Sequence, residues 1–127
     1  MNPKQFLTIG GIVLIVVGLL GFFGVIGPTP EKSLLGASWW FDNAENWAHL
    51  VLGIVAVVLA FAAPMSVQKP ITMLVGILGI LVGLYSIFSP KFLGANLENP
   101  ADTLLHLVVG VWALVSTKGK DSAMSGM

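Results

Sequence analysis

Two histidines supply the imidazoles of this chain, and each stands four residues after a carboxylate, as Glu45–His49 and Asp102–His106. On a helix that spacing puts carboxylate and imidazole on one face. Gly53 and Gly110 follow the histidines by four more residues, so a bulky group or a neighbouring helix could approach each ring over bare backbone. Three residues before the carboxylates stand Asp42 and Asn99, both good N-cap types. Their side-chain oxygens are expected to accept from amides of the first turn. Glu45 would then complete a capping box, and Asp102 a shorter version of one. Both negative charges suit the positive end of a helix.

Three chemistries fit this constellation. The preferred reading is structural: each histidine bonds its own carboxylate and a group across the bundle, which fixes helix register. The second is ligation. His49 and His106 could hold a metal or the two axial positions of a haem, with Glu45 and Asp102 orienting the rings. Two imidazoles without a third ligand make a poor zinc site. The chain has no cysteine, which excludes disulfides and thiolate sites. The third is proton handling by a histidine beside a carboxylate. No Asp, Glu, Lys or Arg lies deeper in any apolar run, so no relay would cross. Ser86 and Ser89 could approach His106 as a Ser–His dyad, although a serine bonding helix backbone is the commoner arrangement. Nucleophile-elbow, zincin and phosphate-loop patterns are absent. The chain reads as a non-enzyme with no catalytic residue, no committed metal and no committed cofactor.

The elements that must position these residues follow from composition. Hydrophobic residues make up 56% of the 127, charged residues 9%, and mean hydropathy is +0.92. Soluble domains carry about 25% charged residues, so this surface is not built for water. Zero net charge and no basic cluster argue against a nucleic-acid partner. Four apolar runs, 6–26, 45–63, 71–88 and 101–117, approach the roughly 20 residues that cross a bilayer. Pro28 and Pro30 end the first, Pro64 and Pro70 bracket the link between the second and third, and Pro90 stops the third. The fourth is the shortest and needs Ala101, Asp102, Ser116 and Thr117 as helix.

With four spans, Lys4, Lys69, Lys118 and Lys120 fall on one side, and Lys32 and Lys91 on the other. The lysine excess marks the cytoplasmic side, so both termini are expected inside. Five of the six acids lie on the outer side, where Trp39, Trp40, Phe41 and Trp47 form an interfacial aromatic cluster. The first run is too long for a signal peptide and no A-x-A site follows it. The tail 118–127 is expected to fray. Small residues recur at Gly18, Gly21 and Gly24, at Gly79 and Gly83, and at Gly53, Ala56, Ala60 and Ala63. They allow close helix packing, preferably inside one bundle rather than across a dimer.

The chain also repeats itself. Residues 42–53 match 99–110 at an offset of 57, through the caps, the carboxylates, His-Leu-Val and the glycine. Leu35-Gly-Ala matches Leu93-Gly-Ala at 58, and 21–28 resembles 83–90 at 62. Halves 6–63 and 71–117 would enter the membrane from the same side, as parallel repeats do, with His49 and His106 at one depth. At its His-Leu-Val-x-Gly helix starts the chain resembles a family of small four-span bacterial membrane proteins of unknown function. That resemblance implies a four-helix membrane bundle and a prokaryotic source, and no activity.

The expectation is an all-α, four-helix transmembrane bundle built from a duplicated two-helix hairpin, a single integral domain over 1–127 in the cytoplasmic membrane. Its partners would be the lipid bilayer and a homo-oligomer or larger membrane complex. The leading function is a scaffold, lipid-contacting or accessory subunit. A histidine-ligated haem, metal or pigment subunit comes second. A transporter or channel comes third, because the spans lack ionisable residues.

Overall fold

A computed structural model describes residues 2–118. Lys120 and the rest of the tail lie outside the described residues. The described residues form four helices, α1 (Pro3–Phe22), α2 (Asn43–Ala62), α3 (Met65–Phe88) and α4 (Ala101–Thr117). Short 3-10 turns at Pro30–Lys32 and Gly36–Ser38 break the loop between α1 and α2. Two-residue strands β1 (Lys91–Phe92) and β2 (Ala95–Asn96) pair antiparallel between α3 and α4. Three helices are long and apolar enough to cross a membrane, and α4 is shorter.

Local chemistry explains the helix ends and corrects three of them. α1 begins earlier than the apolar run, because Asn2 and Gln5 form a reciprocal capping box and Pro3 sits at the first helical position. It stops at Phe22 rather than 26, where Gly24 takes a positive φ of 82°. Pro70 does not bracket a link. It lies inside α3 as its sixth residue, with Pro64 as the N-cap, and leaves the Ser66 carbonyl without its helical N–H partner. Ala63-Pro64 is then the whole connection between α2 and α3. Gln68 makes that tight turn workable: its Nε2 donates to the carbonyls of Leu59, Ala60 and Ala63 at 3.2, 3.0 and 2.9 Å. These lie at the C-terminal end of α2, where the Leu59 carbonyl also accepts from the Ala63 amide and the last carbonyls run out of helical partners.

The chain folds as two hairpins, α1 against α2 and α3 against α4. Glycines set the approach. A methyl group on Gly53 would meet the Gly11 carbonyl at 2.6 Å, and one on Gly110 would meet the Gly76 carbonyl at 2.8 Å. Gly18 lies on the Asn46 carbonyl and Leu50, while Gly83 lies on the Thr103 carbonyl and Leu107. The close packing of these glycines is therefore within hairpins, and Gly24 takes no part in it. The contacts relate α1 to α3 at an offset of 65 residues, not the 62 suggested by comparing 21–28 with 83–90. Between hairpins, Phe6, Leu7, Ala60 and Ala113 form the apolar core, with Ala56, Leu59 and Trp112 against it. The Phe6 and Trp112 rings meet edge-on at 4.6 Å.

The burial pattern is inverted relative to a water-soluble bundle. Val13, Val51, Val58, Leu74, Leu81 and Val111 are exposed, whereas Asn46, Gln68, Thr72, Asp102, Thr103 and Ser116 are buried. In water that arrangement would leave an unfavourable apolar surface and cost desolvation inside. In hydrocarbon the outward face costs nothing, and polar groups gain by meeting each other.

Candidate functional site

The carboxylates and histidines of the sequence pattern lie at the end of the bundle that carries the two long loops, while Gln68, Thr72, Ser116 and Thr117 are buried towards the other end. Asp42 caps α2 as expected: its Oδ1 accepts from the Glu45 amide at 2.9 Å. Its second oxygen accepts from the Asn96 amide at 2.8 Å. One carboxylate thus starts α2 and holds the β1–β2 turn of the other hairpin.

Asn99 does not play the same part at α4. Pro100 occupies the N-cap and makes no side-chain cap bond, while Asn99 Oδ1 accepts from the Thr103 hydroxyl at 3.3 Å. The Glu98 carbonyl instead accepts from the amides of Asp102 and Thr103. Asp102 reaches back, its Oδ2 accepting from the Glu98 amide at 2.7 Å. Its Oδ1 accepts from the Trp39 indole at 3.0 Å. Glu98 in turn accepts from the Trp40 amide at 3.3 Å and from the Asn96 side chain. Burial pushes the Glu98 carboxyl above its ordinary value. The bonds from Asn96 and Trp40 oppose that rise, and the charges of Asp102 and Asp42 add to it.

Glu45 behaves differently. It is 3% exposed, and neither carboxyl oxygen has a hydrogen-bond partner. The expected reciprocal half of the capping box is not made. Its electrostatic neighbours are Asp102, Asp42 and Glu98, all acidic. Among the described residues no ion pair balances them. Lys32 and Lys91 are exposed.

Neither histidine bonds its own carboxylate. His106 Nδ1 donates to the Asp102 backbone carbonyl at 2.8 Å. A carbonyl only accepts, so the Nδ1 tautomer is set and Nε2 keeps its lone pair when the ring is neutral. His49 Nδ1 is buried without a partner, and its ring rests on Phe41 at 5.1 Å between centroids. Phe41 meets Trp39 at 5.0 Å. His49 and His106 lie within electrostatic reach of each other. The faces over Gly53 and Gly110 are taken by α1 and α3 respectively, so no bulky group reaches the imidazoles by that route. Among the described residues, no group of three or more His, Cys, Asp or Glu is placed to hold a metal ion. Ser86 is committed to the Gly83 carbonyl at 2.7 Å and to the Thr103 hydroxyl. Ser89 donates to the Lys91 carbonyl. The serines thus serve backbone and a threonine rather than His106.

Several site residues were not singled out from the sequence. The sequence presents Trp39 as an interfacial aromatic, but its indole ties the first loop to α4. Asn46 is fully buried against Gly21, where any added carbon would collide with its amide. Its Nδ2 donates to the Phe41 carbonyl at 3.4 Å and to Asn43 Oδ1 at 3.5 Å, and its Oδ1 is unpaired. Ser86 and Thr103 are the corresponding contact of the second hairpin, at offsets of 65 and 57. The available signal was an amide inside the first turn of an apolar run, four residues before Leu50. Compared with protein-family models, with curated proteins and with solved structures, the chain matches none.

Proposed function

We propose that this chain is a four-span protein of the cytoplasmic membrane of a prokaryote, with both termini inside, acting as a non-enzymatic scaffold, lipid-contacting element or accessory subunit. The carrying observation is the inverted burial: valines and leucines cover the outside of every helix while Gln68, Thr72, Asp102 and Ser116 fill the inside. The lysine asymmetry supports the orientation. α4, at 17 residues, spans only about 25 Å, so local thinning of the bilayer would accompany it. The duplicated-hairpin reading is supported by helix contacts that recur at offsets of 65 and 57. Kinship with small four-span bacterial proteins rests on the His-Leu-Val-x-Gly helix starts.

The test uses the absence of native cysteine. Single cysteines at Ala37 and Ser66, both exposed, should react with an impermeant reagent from opposite faces of sealed vesicles, with Ala37 outside. Labelling from one face would defeat the four-span reading.

A second reading, a histidine-ligated cofactor subunit, draws support from the oriented His106 ring with its free Nε2. His49 lacks any matching orienting bond, which is why the reading ranks second. A Soret band in protein purified without added haem would promote it.

A further inference from the structure

Glu45 and Asp102 occupy the same place in the two hairpins, 57 residues apart and four before a histidine. Both are buried, at 3% and 1% exposure. Their surroundings are opposite. Asp102 accepts from the Trp39 indole and the Glu98 amide, one bond to each oxygen. Glu45 accepts nothing. An ionised carboxylate is stable inside a protein when donors surround it, and costly when none do. The titratable groups around Glu45 are three carboxyls, each of which disfavours another anion there, and two histidines. From α2 there are Asp42 and His49, from the loop before α4 Glu98, and from α4 Asp102 and His106. α1 carries no charged or titratable side chain at this end, from Gly18 to Phe22, and the first loop contributes Trp39 and Phe41. One helical turn from Glu45 the His49 Nδ1 is also buried and unpaired. A proton on Glu45 makes the buried carboxyl neutral, whereas Asp102 already has a donor on each oxygen. The proton therefore removes the charge that no donor compensates at Glu45. When two carboxyls have environments this different, one is held as the acid and the other as the anion.

We propose that Glu45 and Asp102 form a carboxyl pair that takes up one proton from the aqueous phase at the loop end, held on Glu45 beside His49, and that this proton latches the two hairpins together there. The latch is the set of acceptors the proton protects. Asp102 holds Trp39, Glu98 holds the Trp40 amide, and Asp42 holds the Asn96 amide; all three bonds join one hairpin to the other. Loss of the proton would place a second buried anion beside Asp102 and Glu98 and push the loops apart. The proton moves between Glu45 and water with no other atom transferred. A metal ion is the less suitable occupant, because no three ligands converge among the described residues. That the loop end faces the outside rests on the orientation proposed above, whereas the proton site itself does not.

The test is done on the full chain in detergent, where orientation plays no part, so the two proposals fail separately. Infrared spectra in water and heavy water at neutral pH should show an isotope-sensitive protonated-carboxyl band that is lost in Glu45→Gln. A parent without that band, or a band that survives in Glu45→Gln, overturns the proposal. Spin labels on cysteines at Ala37 and Leu93, one exposed site per hairpin, give the second readout. Their distance distribution should broaden as pH is raised, and Glu45→Gln, a neutral near-isostere, should stay narrow throughout. Equal broadening in both, or narrowing that depends on added sodium or calcium at fixed pH, overturns it as well.

Discussion

The Trp39 indole donates to the Asp102 carboxylate at 3.0 Å across 63 residues of chain, joining the loop of the first hairpin to the first turn of α4. Asp102 is among the most buried side chains in the molecule. A bond to a charged acceptor in that setting contributes about 1.5–3 kcal/mol. Trp39→Phe keeps an aromatic ring edge-on to Phe41 but removes the donor. Its unfolding free energy in detergent should fall by about that amount. In a double-mutant cycle with Asp102→Asn, the two losses should be markedly non-additive. Additive losses would mean that the bond contributes nothing.

Gly21 and Asn46 form a size-matched pair, since a carbon added at Gly21 collides with the Asn46 amide. Gly21→Ala should destabilise by about 1–3 kcal/mol through overpacking. Adding Asn46→Ala should return part of that loss, because it removes the obstacle. Thermal melts of the two single variants and the double variant check this.

In the second hairpin Gly83 lies against Leu107 and the Thr103 carbonyl, while Leu84 is exposed. Gly83→Leu should therefore lower the melting temperature far more than Leu84→Ile does. Equal melting temperatures would place Gly83 on the lipid-facing surface.

The histidines should respond differently from each other. His106 makes a bond through Nδ1 and His49 Nδ1 makes none. His106→Gln should be milder than His106→Leu, by about 0.5–1.5 kcal/mol. At His49 the two replacements should differ less in melting experiments at neutral pH. A metal or haem ligand would instead show equal, large losses for Gln and Leu at both positions.

Glu98 supplies a pH dependence. Its carboxyl is raised by burial, so the folded state binds its proton more tightly than the unfolded state does. The stability linked to that difference is fully present below the ordinary carboxylate value, about pH 4.3. It is lost as pH rises through the raised value. Melting temperature should fall over that window, and Glu98→Gln should flatten the fall. An unchanged profile in the variant would assign the titration to another group.

Composition and hydrophobic run length alone determined that the chain makes four helices, three of them long enough to cross a bilayer, because backbone hydrogen bonding in an apolar segment is met most simply by a helix. The capping role of Asp42 was equally legible, since a cap acts on amides two or three residues away. The start of α3 was not, because Gln68 can cap α2 only once the chain has turned at Pro64. Nor could spacing tell Glu45 from Asp102: both stand at one position of a recurring pattern, and the same local rule predicts a capping carboxylate beside a bonded histidine for each. What separates them is Trp39, which comes 63 residues before Asp102 and reaches that carboxylate but not the other. A hydrogen-bond partner so distant in sequence is set by how the two hairpins lean together. The tertiary structure therefore decided which carboxyl is surrounded by donors and which is left bare.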